Sequence, residues 1–400
     1  MKRGLFVLII LLNTVCVIAQ ADYPAAVAKF QRYYNQNEAD SLFNMYGPNM
    51  KAALSLDKTT GMINQLNSQA GALKSVTPIR NEKAYKAVFE KVTLRLSMYL
   101  NNDNQLEGLH FGAYEEKKDS DNVVLNGIHG TLIAPPGSKK VVLFIAGSGP
   151  TDRNGNSGMG LRTNCTKMMA EALEKAGIAS LRYDKRGIGT SDVIQEKDLR
   201  FENMVDDAVS LIKMLKGSYA QVYVAGHSEG ALVGMLASKT NVAGYISIAG
   251  AGEAADILLR EQLNISMPNS AVQASLLMDS LKKGYPVKEP SGELNMLFHS
   301  SIQPYMTSWM KYDPQQEIKK LKIPVLIIQG TTDIQVSTRD AALLKKAKPD
   351  ATLLEIEGMN HILKAAPAER NANRATYNQP DLPLKEELMK AIIPFVLSQK

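Results

Sequence analysis

The pentapeptide Gly226-His227-Ser228-Glu229-Gly230 holds the residue types needed for nucleophilic attack on a carbonyl carbon. A serine hydroxyl attacks poorly unless a base takes its proton and the backbone lifts it clear of its neighbours. The flanking residues supply that backbone. Gln221-Val222-Tyr223-Val224-Ala225 is apolar and β-branched and reads as a buried parallel strand, while Ala231–Ser238 mixes small and long apolar residues that favour a helix. A strand turning sharply into a helix through G-x-S-x-G is a nucleophile elbow: the glycines permit close backbone approach, and the strained turn raises the serine Oγ toward substrate. The pattern alone is common. The strand–turn–helix context singles this one out, and it makes the backbone N–H of Glu229 a donor for the oxyanion that would form.

The elements that must position this serine lie in residues 123–400. Leu125–Pro135 reads as an antiparallel edge hairpin turning at Asn126-Gly127. Val141–Ala146 is a continuous apolar strand, followed by a helix over 162–176, a strand over 179–183, a helix over 202–216, the elbow strand, and a strand over 244–249. A Met- and Leu-rich helical segment, about 254–320, interrupts this alternation. It resumes with a strand at 323–329, a helix at 338–346, a strand at 351–356 and a last helix at 384–397. Apolar strands separated by helices predict an α/β fold, a doubly wound, mostly parallel sheet covered on both faces. Residues 22–115 differ: apolar spacing predicts helices at 23–34 and 37–45, then strand formers fill 85–96 and 106–114, a small α+β unit. Their order and length resemble the cystatin-like, nuclear-transport-factor-like cone domain that precedes many exported bacterial hydrolases. Residues 116–122 are polar and read as a linker.

With these elements in place, residues 123–400 resemble the α/β-hydrolase superfamily, with the helical segment 254–320 where that superfamily inserts its cap. The resemblance implies a triad in the chain order Ser, acid, His. Of five histidines, His110 and His129 precede Ser228, His227 sits inside the elbow and is expected to point elsewhere, and His299 falls in the cap. His361 follows the last strand on its C-terminal side, where catalytic groups of open α/β sheets collect, so it is the expected general base. Gly330-Thr331-Thr332-Asp333-Ile334-Gln335-Val336 resembles the superfamily's strand–G-x-x-D–x-x-V stretch, which makes Asp333 the expected acid that orients the imidazole. Asp313, before the strand, and Asp340, inside the next helix, are its rivals.

The loop Gly147-Ser148-Gly149-Pro150-Thr151-Asp152-Arg153-Asn154-Gly155-Asn156 resembles a subgroup of exported esterase-like hydrolases. It offers the Ser148 N–H as second oxyanion donor, with that of Gly149 as the alternative. Tyr183–Ser191 resembles the superfamily's D-x-R-G-x-G-x-S loop, in which Asp184 and Arg186 brace neighbouring loops; Lys185 and Arg186 gripping an anion is the rival assignment. The implied activity is serine-dependent hydrolysis of a small-molecule carboxylic ester through an acyl-enzyme. A peptidase or amidase of the prolyl-oligopeptidase kind, and a non-catalytic binding protein on the same scaffold, are the alternatives.

Composition narrows the remaining classes. Met1-Lys2-Arg3, the apolar stretch 5–17 and Ala19-Gln20-Ala21 read as a cleavable secretory signal, predicting a periplasmic or extracellular protein without stable membrane association after cleavage. Cleavage removes two bases and no acid, lowering the formal charge from +6 to +4, too little to suggest a nucleic-acid partner. It also removes Cys16, leaving Cys165 without a disulfide partner and expected to be buried. No Cys/His spacing suits zinc and no phosphate-binding loop is present, so neither metal nor cofactor is expected. Homo-oligomerisation through the small unit is a further expectation.

Overall fold

The computed structural model describes residues 22–79, 84–114, 121–157, 161–290 and 292–398. The chain divides into two compact units, Met1–Glu116 and Lys117–Lys400. The leader expected over 1–21, and residues 116–120 of the expected linker, lie outside the described residues.

The small unit opens with α1 (Tyr23–Asn35), started by Asp22, whose carboxylate accepts the Ala25 N–H. Val27, Phe30 and Tyr34 recur at helical spacing and are the face it buries. Helices α2 (Ala39–Asn44), α3 (Pro48–Ala53) and α4 (Leu56–Ala70) follow. They pack with an antiparallel sheet of β1 (Leu73–Pro78), β2 (Ala84–Phe89), β3 (Thr93–Leu100) and β4 (Leu106–Ala113), ordered as in the chain. The strand-forming stretch 85–96 breaks after Phe89 into two strands. Neither α4 nor β1 was anticipated: α4 buries only Thr59, Ile63 and Ala70, too thin an apolar stripe to stand out among Thr, Asn and Gln. Within a largely aliphatic core an aromatic cluster forms, with Phe111 about equally close to Phe30 and Phe89 (both ring pairs 6.0 Å) and Tyr34 edge-on to Phe89 at 5.6 Å.

The larger unit is an eight-stranded sheet. Its strands are β5 (Val123–Leu125), β6 (Ile128–Ile133), β7 (Lys140–Ile145), β8 (Ala179–Tyr183), β9 (Gln221–His227), β10 (Gly244–Ile248), β11 (Val325–Gly330) and β12 (Thr352–Ile356). Their spatial order is β12-β11-β10-β9-β7-β8-β6-β5, and only the β5–β6 and β6–β8 pairings are antiparallel. Asn126 and Gly127 join β5 to β6 with φ of 51° and 78°, the paired positive values that a tight two-residue hairpin requires. Helices α5 (Cys165–Lys175), α6 (Phe201–Lys216) and α7 (Glu229–Ala237) alternate with the strands. The cap between β10 and β11 comprises α8 (Ala255–Ser266), α9 (Ala271–Lys282), α10 (Asn295–Phe298), α11 (Gln303–Trp309) and α12 (Pro314–Ile318); α13 (Thr338–Ala347), α14 (Arg370–Ala375) and α15 (Glu386–Ser398) complete the unit.

Both sheet faces are dry. Along β7, Val141, Leu143 and Ile145 join the core shared with α6 and α7, whereas Val142 and Phe144 join the one shared with α5 and α15. A period of two with apolar residues on both faces is why such strands read as unbroken hydrophobic runs. Every residue of α7 is buried. Asp121 and Asn122, expected in the linker, are tied into this unit: Asp121 pairs with Arg153 at 2.6 Å, and Asn122 exchanges hydrogen bonds with the Leu132 backbone at 2.7 and 2.8 Å.

Candidate active site

Ser228 sits between β9 and α7 at φ 54°, ψ −122°, a conformation that costs a non-glycine residue on the order of 1–3 kcal/mol. The turn is held by the Ser228 N–H donating to the Ile248 carbonyl (3.0 Å) and the Ala231 N–H donating to the Ser228 carbonyl (2.9 Å). The two elbow glycines are sterically required. A Cβ on Gly226 would collide with the Gly230 carbonyl, and one on Gly230 would collide with the carbonyls of Ile145 and Ala146. Glu229 is the first residue of α7, so its N–H belongs to the first turn, whose amides have no partner within the helix.

Asp333 follows β11. Its Oδ1 accepts the N–H groups of Gln335 (2.8 Å) and Val336 (3.0 Å), so it caps this turn. Its Oδ2 accepts from Gln329 Nε2 (3.2 Å) and from His361 Nδ1 (2.8 Å). Burial pushes this carboxyl up, but the neighbouring imidazole and the two backbone donors outweigh it and hold the group below the usual carboxylate range. With Nδ1 donating to Asp333, the neutral His361 ring keeps an unprotonated Nε2, the tautomer a base requires. Both side chains are shielded, at 0% and 6% exposure. The loops that carry them are stitched together by the Thr332 N–H donating to the Met359 carbonyl (3.1 Å) and the Gly358 N–H donating to Thr331 Oγ1 (2.9 Å). No hydrogen bond among the described residues joins His361 Nε2 to the Ser228 hydroxyl; in resting serine enzymes that bond is commonly long and tightens around substrate.

The rival acids are occupied elsewhere. Asp313 caps α12 by accepting the Gln315 N–H, and Asp340 accepts from Ser337 and from the Gly252 backbone. His227 does not point elsewhere. Its Nε2 donates to the His361 carbonyl at 2.8 Å, and the two rings lie 4.8 Å apart. Burial, reinforced by the His361 ring, pushes His227 down to about 4, so it is neutral at ordinary pH. Its adjacency to Ser228 in the sequence hid a partner 134 residues away.

The loop after β7 passes close to the elbow: a Cβ on Gly147 would lie 3.2 Å from Ser228 Cβ. Asp184 braces a neighbouring loop as expected, whereas Arg186 ties its own loop to helix α6. Asp184 accepts the Arg153 N–H (2.8 Å) and its guanidinium (2.7 Å), and Arg186 binds both oxygens of Asp207 at 2.8 and 2.6 Å. Lys185 departs from the anion-gripping assignment. It is buried, donates to the carbonyls of Gly147 (2.5 Å) and Gly149 (2.9 Å), and stands 3.8 Å from Glu229 Oε2. Glu229 also accepts from the Tyr305 hydroxyl of α11. Cys165 is buried, as expected. Cap residues Leu263, Met278, Met306 and Trp309 join the same core as α6 and α7, so much of the cap's apolar content packs against the body. Among the described residues no cluster of His, Cys, Asp and Glu could hold a metal ion, and no helix is long and apolar enough to cross a membrane.

A mostly parallel sheet with a strained serine just after the central β9, and an Asp–His pair beyond β11 and β12, defines an α/β-hydrolase. Residues 156–365 match the family described as serine aminopeptidase, S33, and the chain belongs to it. Residues 27–109 match a separate family of unknown function, DUF3887. The chain is similar to esterase EstD of Thermotoga maritima, with 25% identity covering 85% of this chain and 89% of that protein. Among solved structures it is similar to Est1E of Butyrivibrio proteoclasticus with ferulic acid bound (18% identity, 68% of this chain and 96% of that one, TM-score 0.47). It is also similar to a monoacylglycerol lipase of Paleococcus ferrophilus (17% identity, 68% and 99%, TM-score 0.44).

Proposed function

We propose that Ser228, His361 and Asp333 form a catalytic triad that hydrolyses carboxylic esters through an acyl-enzyme. Ser228 Oγ attacks the ester carbonyl while His361 Nε2 accepts its proton. Collapse of the tetrahedral intermediate breaks the bond to the alcohol oxygen, which leaves with that proton. Water then attacks the acyl-enzyme with His361 again as base, releasing the acid and restoring the serine. Asp333 holds the ring and stabilises the imidazolium, and the backbone N–H groups of Glu229 and Ser148 receive the oxyanion. The observation that carries this reading is the shielded 2.8 Å bond between His361 Nδ1 and Asp333 Oδ2, on the loops that follow β12 and β11.

The esterase name of the Thermotoga maritima relative supports an oxygen ester as substrate. The family's description favours the rival, cleavage of an N-terminal peptide bond. One experiment decides both points: fluorophosphonate labelling, beside turnover of p-nitrophenyl esters of increasing acyl length and of aminoacyl p-nitroanilides. We expect label on Ser228 and turnover of esters, both lost in Ser228→Ala. An unlabelled, folded chain overturns the triad, and anilide turnover exceeding that of every ester overturns the ester assignment. Export belongs to the same proposal, and N-terminal sequencing of protein from the periplasm or medium tests it.

A further inference from the structure

We propose that Lys185, held by Glu229 and through it by Tyr305 of the cap, is the positioning residue that aims the Ser148 N–H at the oxyanion. The inference rests on the triad reading and assigns a task to a side chain that the triad leaves idle. The Lys185 ammonium donates to the carbonyls of Gly147 and Gly149 and forms an ion pair with the carboxylate of Glu229 at 3.8 Å. A peptide unit is planar and trans, so the Gly147 C=O and the Ser148 N–H point in opposite directions. Drawing that carbonyl onto Lys185 therefore turns the Ser148 N–H away from the lysine, within a peptide that follows the residue packed on Ser228. The second gripped carbonyl, that of Gly149, precedes Pro150 and shares its peptide with no N–H. It serves as an anchor, reinforced by the Thr151 N–H at 2.8 Å. Of the two candidate donors the lysine therefore acts on the Ser148 N–H; the Gly149 N–H shares its peptide with the Ser148 carbonyl, which accepts the Thr151 hydroxyl at 2.9 Å.

Glu229 joins the two halves of the hole. Its backbone offers one donor, and its carboxylate faces the ammonium that sets the other. Its remaining oxygen accepts the Tyr305 hydroxyl, linking the hole to α11 of the cap. All three side chains are buried, where an ammonium is costly unless it is hydrogen-bonded and paired with an opposite charge. Burial accordingly pushes Lys185 down and Tyr305 well above its usual range.

The test compares a p-nitrophenyl ester with its thionoester, whose sulfur accepts hydrogen bonds weakly and draws less from the hole. Lys185→Met keeps length and volume. We expect kcat on the oxygen ester to fall about 100-fold with KM nearly unchanged. The thionoester should lose far less, so that the oxygen-to-sulfur rate ratio drops by roughly tenfold or more. Equal losses on both substrates would mean a purely structural role and overturn the proposal. Should that variant not fold, Tyr305→Phe decides, with a smaller drop in the same ratio expected and an unchanged ratio overturning it. Labelling of wild-type Ser228 by fluorophosphonate separates the failures: an unlabelled wild type removes the triad and this inference together, whereas a labelled one with an unchanged ratio removes the inference alone.

Discussion

In the small unit the side chains that close the interior are apolar, aliphatic with a cluster of aromatic rings, and the buried polar residues among those described are Thr59 and Ser97. In the hydrolase unit Arg153, Asp184, Lys185, Asp207, Glu229 and His361 are all buried. A polar or charged group interred in a fold is costly unless partners satisfy it, and these are partnered by one another, by loop carbonyls, or, for Asp207 and His361, by Arg186 and Asp333. Most sit on the loops around the elbow or at the start of α7, with Asp207 on α6, where the chain needs fixed dipoles rather than mere volume. Shape suffices in one unit, while the other spends stability on orientation. Substitutions should therefore separate cleanly, rate effects belonging to the second interior and stability effects to the first.

The largest expected effect is on rate. Asp333→Asn leaves a shape close to the original but disfavours the His361 tautomer, and kcat on an ester should fall by roughly 10³–10⁴-fold with the melting temperature little changed. A loss of only a few-fold would mean that this shielded acid orients nothing. Next comes Phe30→Ala in the aromatic cluster, which should cost about 3–5 kcal/mol in the small unit's stability, read by urea titration. Ester kcat should stay within about twofold, since stability rather than rate is what such a cavity removes. A collapse of activity would erase the division between the units.

The smallest effect is linked to pH. His227 sits near 4 when folded and, as an ordinary histidine, near 6.5 when unfolded. Between those values the unfolded chain binds the proton first. Stability from keeping this ring neutral is complete above about pH 6.5 and declines on acidification toward pH 4, by up to about 3 kcal/mol. Urea titrations across that window should slope more steeply for wild type than for His227→Asn, and identical slopes would remove His227 from the account.

Much of this was legible beforehand because it is local. The β–α alternation from Val141 to Leu397, the Asn126-Gly127 turn and the elbow glycines are patterns of near neighbours, and Asp333 and His361 stand out by their place after named strands. What escaped notice depends on contacts distant in the chain. Lys185 reads in the sequence as a cation that could grip an anion, yet its destination is set by carbonyls 36 and 38 residues upstream. His227 is explained only by the backbone of residue 361. The polar helices α4 and α14 lack the apolar stripe that announces a helix; α14 buries a single residue, Asn373.

The anchoring of Asp121 and Asn122 also dictates where the two units can be severed. Arg153, almost wholly enclosed, divides its charge between Asp184 and Asp121. A shortened enzyme beginning at Val123 would strand that guanidinium with half its counter-ions and unpin the edge hairpin. Its poor activity would then be credited, wrongly, to the missing amino-terminal region. Dissection of this protein should cut upstream of Asp121.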